Sequence, residues 1–152
     1  MLISQRCQYA LRAVFELAKQ HGRGPVKIDD IAAPQAIPPR FLAAILNQLK
    51  QAGFVESRRG SEGGYLLARS PASLTVGQLI RFVEGPVGPV ECMVGSATDR
   101  CPLRGSCVFL SMWEEAKQAV ENVYDRTTFE DLMDRESAAL ARCGEYTPMY
   151  MI

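Results

Sequence analysis

A chain of 152 residues, 47% of them apolar and 22% charged, is long enough to bury one ordinary core and too apolar to be a disordered tail. Seventeen basic residues cancel seventeen acidic ones, yet residues 1–70 hold ten Lys and Arg against five Asp and Glu, a net of +5, and residues 71–152 hold seven against twelve, a net of −5. A basic half joined to an acidic half directs the first toward an anionic partner and the second toward protein, solvent or metal, with unevenly scattered surface charge as the plainer alternative.

No basic, apolar, small-residue leader opens the chain, and the longest apolar runs, such as Phe41 to Leu46, are far shorter than a bilayer span. The expected location is cytoplasmic, with no membrane partner. Five cysteines, an odd number in a reducing compartment, point to metal binding or redox sensing rather than to a disulfide framework.

Ser4 caps a first amphipathic helix in which Tyr9, Ala10, Ala13, Val14, Leu17 and Ala18 recur at three- and four-residue spacing, until His21 and Gly22 stop it. A short segment from Ile28 to Ala33 and a turn at Pro34–Pro38 lead to a third helix, Arg40–Ala52, with Pro39 in its first turn and Gly53 after its end. That helix buries Phe41, Leu42, Ile45, Leu46 and Leu49 and shows Arg40, Asn47, Gln48, Lys50 and Gln51. Short helix, tight turn, longer helix is the helix-turn-helix order. Strand-like runs at Phe54–Arg59 and Tyr65–Ala68 flank a glycine-rich tip and form a hairpin, or wing. Thr75 with Gln78 forms a capping box for a short helix ending at Gly85.

A loop from Val90 to Cys107 holds three cysteines, and a helical stripe of Phe109, Met112, Trp113, Ala116, Ala119, Val120, Val123 and Tyr124 follows it. About 17 helical residues span on the order of 25 Å, long beside a small winged domain, so the stripe is expected to pair with a second copy in a homodimer. Thr127 or Thr128 caps a last short helix, Phe129–Leu140. The fold expected is mainly α: a winged helix-turn-helix domain with a two-stranded wing over 1–85, a cysteine loop over 86–107, a dimerisation helix and final short helix over 108–141, and a tail over 142–152.

The second helix of a helix-turn-helix enters the major groove of double-stranded DNA, where amide and guanidinium groups reach base edges, while a basic hairpin follows the backbone or minor groove. Arg40, Asn47, Gln48, Arg58 and Arg59 fit those roles, and Gly60, Gly63 and Gly64 let the wing turn tightly and approach phosphates, with Tyr65 beside them. Each arginine taken singly is equally well a solvated surface charge.

The segments YALRAVFELA and IPPRFLAAILNQLKQAGFVESRRGSEGGYLLAR, the latter spanning Ile37–Arg69, resemble the Rrf2 family of bacterial transcription regulators, and the resemblance runs from residue 1 to about 135. The most specific piece is RRGSEGGYLLAR, followed by LTVGQLI. Arg40, Ala43 and Ala44 stand where the family's iron-sulfur biogenesis regulator has polar residues, so its target sequence is not carried over.

Cys92, Cys101 and Cys107 are separated by eight and five residues, with Gly95, Pro102 and Gly105 between them. Thiolates suit zinc and iron-sulfur clusters alike, but the absence of a close Cys-x2-4-Cys knuckle favours a cluster. The loop resembles that of the three-cysteine members of the family, of the IscR, NsrR and RirA type, which implies a 2Fe-2S or 4Fe-4S cluster on Cys92, Cys101 and Cys107. Leu110 stands where the biogenesis regulator has its ligand histidine, and Gln8, with Cys7 beside it, matches the position at which the nitric-oxide sensor draws a fourth ligand from the partner subunit.

The expectation is a dimeric DNA-binding regulator, a repressor, that senses redox state, nitric oxide or iron and cluster status. A change at the cluster would reshape the loop and so move two recognition helices over half-sites one DNA turn apart. The alternative is a cluster-free regulator of the same fold that senses by thiol modification or a protein partner. An enzyme is not expected, since there is no Cys-x-x-Cys pair, acid-base cluster or nucleotide loop.

Overall fold

The computed structural model describes residues 3–94, 101–103 and 105–144. The expected tail from residue 145 onward and the loop positions 95–100 and 104 lie outside them.

Helix α1 (Gln5–Lys19) begins where Ser4 accepts a hydrogen bond from the Cys7 amide at 3.2 Å, and it turns Ala10, Ala13, Val14, Leu17 and Ala18 into the core. Helix α2 (Ile28–Ala32) is a single turn and a half, pinned by buried Ile31. Helix α3 (Pro39–Gln51) buries Leu42, Ile45, Leu46 and Leu49 against α1.

Phe41 departs from expectation: it is 48% exposed. The buried arc of α3 is centred on the 42, 45, 46, 49 stripe, and position 41 falls at its edge, where Phe41 lines a surface groove together with Ala44 and Ile45.

Strands β1 (Val55–Arg58) and β2 (Gly64–Leu67) pair antiparallel, in the register Val55↔Leu67 through Arg58↔Gly64. Val26 bridges to Tyr65 through two 2.8 Å backbone hydrogen bonds, which ties the start of the wing's return strand to the loop after α1. Gly64 has its explanation here, because a Cβ at this position would lie 2.4 Å from the Val26 carbonyl oxygen.

A 3-10 turn at Pro71–Ser73 leads into α4 (Val76–Glu84), whose capping box between Thr75 and Gln78 is formed in both directions at 3.2 Å. Helix α5 (Leu110–Arg126) follows the cysteine loop, and α6 (Phe129–Gly144) runs about a turn beyond the expected end.

Helices α5 and α6 behave differently. No residue of α5 is buried; Trp113, Val120 and Tyr124 are half-covered, while Met112 and Val123 are exposed, as are Val108 and Phe109 just before it. Helix α6 instead returns to the winged domain. Phe129 is fully buried among Leu17, Leu74 and Leu79, and the chain around it is sewn on by Val76 N–H to the Thr127 carbonyl (2.9 Å) and Phe129 N–H to the Leu74 carbonyl (3.0 Å).

A second, smaller cluster joins α1, α4 and α5 around Cys7, Ile80 and Val87, with Val120 and Tyr124 against it. Polar ties reinforce it. Arg81 of α4 grips Asp125 of α5 with both guanidinium nitrogens, one at 3.2 Å, and Glu84 accepts from Ser4 at the cap of α1. A third tie, from Lys19 to Glu136 at 3.4 Å, joins α1 to α6.

Candidate functional site

The helix-turn-helix order places Arg40, Asn47 and Gln48 on the solvent face of α3, all exposed, because the opposite face is committed to the core. Arg58 and Arg59 are exposed at the end of β1 and the start of the wing turn. Neither these two nor Arg40 enters an ion pair among the described residues. Cations left free of carboxylate partners on a helix face and a protruding hairpin form a surface suited to a polyanion.

The wing glycines serve the hairpin itself. Gly60 has a φ of +108°, which a residue with a Cβ adopts only under strain, and a Cβ on Gly63 would lie 2.3 Å from the Arg58 carbonyl oxygen. Tyr65 is half-buried, with its ring against the core and its backbone engaged by Val26, so it anchors the wing rather than extending from it.

Two residues that the sequence pattern alone does not single out belong to the same surface. Arg6, exposed on α1, donates from its guanidinium to Gln48 Oε1 and so adds a cation beside α3. Phe41 lies next to Arg40, whose guanidinium carbon sits 4.7 Å from the ring centroid. The basic sign of residues 1–70 hints at Arg6; nothing in the periodicity announces the exposure of Phe41.

The second candidate is a cavity of about 620 Å³ between the cysteine loop and α5, lined by Cys92, Cys101, Cys107, Trp113, Lys117 and Glu121 among others. All three cysteines line this one space, each half-buried. Among the described residues no three His, Cys, Asp or Glu side chains stand close enough to hold a single ion. Soft sulfur donors spread around a cavity larger than one ion suit a polynuclear centre, or thiols that react one at a time.

Cys7 is set apart from that group. It is fully buried in its own subunit, and burial, together with the nearby Glu84 carboxylate, pushes its thiol up to about 11. Gln8 is half-exposed and donates to the Ile3 carbonyl at 3.2 Å.

Comparison with known proteins agrees with this geometry. Residues 3–135 match the family model for Rrf2, described as an iron-dependent transcriptional regulator. The transcriptional regulator CymR of Bacillus subtilis is 38% identical over 87% of this chain and 89% of its own length. The solved structure of that CymR, described as the global cysteine regulator of B. subtilis, superposes with a TM-score of 0.73 at 37% identity, covering 89% of this chain and 98% of the other. An IscR from T. potens follows with a TM-score of 0.71 at 33% identity over 91% and 90% of the two chains. With a family model spanning most of its length, relatives above 30% identity and a winged helix-turn-helix fold in common with them, this chain belongs to the Rrf2 family of DNA-binding transcription regulators.

Proposed function

We propose that the protein is a homodimeric repressor that binds double-stranded operator DNA through α3 and the wing and senses redox state, nitric oxide or iron status through an iron-sulfur cluster held by Cys92, Cys101 and Cys107. The observation that supports it best is the sharing of one cavity by three thiols, next to the helix whose exposed apolar residues suit a second copy. Bound there, the cluster would supply a centre whose loss or chemical change removes three cross-links from the loop. The chain's own part is to line the cavity between loop and α5 with Met93, Leu110 and Trp113 and to carry the change onward through Asp125 and Arg81. Reading of bases falls to Arg40, Asn47 and Gln48, and positioning on phosphates to Arg58 and Arg59.

The test is the visible absorption, iron and acid-labile sulfide of protein purified without oxygen, beside a Cys92→Ala, Cys101→Ala, Cys107→Ala triple variant. The expected result is a brown wild type, a colourless variant and operator affinity that differs between cluster-bound and cluster-free protein. Equal affinities would remove the switch.

A second reading has its own support: the thiols do not converge on one point, and a relative of high identity is described as a global cysteine regulator. On that reading the three cysteines are modified directly, or the cavity receives a partner. It expects colourless protein whose DNA affinity ignores iron chelation but responds to a thiol oxidant.

A further inference from the structure

The DNA-facing side of α3 is not uniformly polar. Between α1 and α3 runs a groove of about 580 Å³ whose floor is Tyr9, Phe41, Ala44 and Ile45, with Arg6 and Gln48 at its polar end. Phe41 forms the open lip of this groove, one position from Arg40 and on the same surface as Asn47 and Gln48. A half-exposed aromatic ring is unfavourable in water and gains from any apolar group laid on it.

The basic surroundings decide what kind of group that is. Arg6 lines the groove, Arg40 sits over the Phe41 ring, and Arg58 and Arg59 are exposed on the wing; this basic character favours a polyanion over an apolar peptide or a lipid tail. On the major-groove edge of a base pair the sole apolar substituent is the C5 methyl of thymine. Small side chains at Ala43 and Ala44, both exposed, let the base edge come close to the ring. At the far end of the groove Gln48 gives its carbonyl oxygen to Arg6, which leaves its amide nitrogen to donate to a base acceptor.

We infer that Phe41, backed by Ala44, reads a thymine methyl in each operator half-site. The inference rests on the DNA-binding reading above and deepens it, since it assigns base preference to a side chain with no hydrogen-bonding group. One methyl removed from a full apolar contact is worth about fourfold in affinity, from about 0.8 kcal/mol per buried group at 1.4 kcal/mol per tenfold.

The experiment selects duplexes from a random library with the full-length protein and then replaces each thymine of the selected site, singly, by deoxyuridine. Affinities are measured for the wild type, Phe41→Ala and Phe41→Leu. Circular dichroism melting, expected to be nearly unchanged because the ring is exposed, confirms that the variants fold. The wild type should lose about fourfold at one symmetry-related thymine, Phe41→Ala should lose almost nothing there, and Phe41→Leu should keep most of the effect. Enrichment of a site with no methyl-sensitive thymine, or a methyl effect that survives in Phe41→Ala, overturns the assignment and leaves the regulator standing. No enrichment of any duplex overturns the DNA-binding reading and this inference with it.

Discussion

At the level of single residues, Gly64 and Cys7 make the sharpest demands. Gly64→Ala drives a Cβ into the Val26 carbonyl, which does not yield as a flexible side chain would. The expected cost is about 1–3 kcal/mol in urea unfolding, with weakened DNA binding as the wing tilts. An unchanged midpoint would mean that the Val26 bridge is dispensable. Cys7 is held as the neutral thiol up to about pH 11 and is shielded from solvent. Alkylation of the folded, cluster-free protein followed by mass mapping should therefore modify Cys92, Cys101 and Cys107 long before Cys7, and urea should remove the difference. Because the folded-state value lies above the ordinary 9.0, Cys7 lowers stability only as pH rises from 9 toward 11.

Among the elements, α6 owes its start to Thr128 and Asp131. The Thr128 amide donates to Asp131 at 2.8 Å, and the Asp131 amide donates back to the Thr128 hydroxyl at 3.0 Å. The Thr128 amide, with its hydroxyl in support, holds the Asp131 carboxyl below the ordinary 3.8. The contribution is thus present above 3.8 and fades as pH falls below it; an Asp131→Asn variant should lose that slope in acid unfolding curves. Thr128→Ala should cost about 1 kcal/mol.

Most of this layer is legible in the sequence. The 3.6 spacing marks α1, α3 and α5, and Thr75 with Gln78 marks α4, because a capping box is local chemistry that tertiary context seldom overrides. What periodicity does not encode is the width of the buried arc, so it assigns Phe41 to the core when the ring sits on the rim. The chain also holds no local sign of where α6 docks, or of whether three cysteines in a long loop converge. Those are distances between segments far apart in sequence.

On the scale of the whole molecule, the regulator reading ties the basic half to DNA and the apolar face near Val108, which is 83% exposed, to a second subunit. Val123→Glu together with Met112→Glu should shift sedimentation from dimer to monomer at micromolar concentration while leaving the helical content unchanged. A dimer that survives both charges would move the interface elsewhere. Arg59→Ala should flatten the dependence of log affinity on log salt by about 0.9 for each phosphate it no longer neutralises, where a base-reading change at Asn47 should leave that slope alone and alter sequence preference.

The burial of Phe129 among Leu17, Leu74 and Leu79 has a consequence for modularity. A reader of DNA that could be cut from the rest of the chain would allow the two parts to be exchanged between relatives at the linker near residue 85. Here the last helix supplies the largest fully buried side chain of the first domain, so the chain closes on itself like a clasp. Exchange at that linker puts a foreign clasp on a native hinge, and only a partner sequence that brings its own fitting aromatic keeps the reader folded.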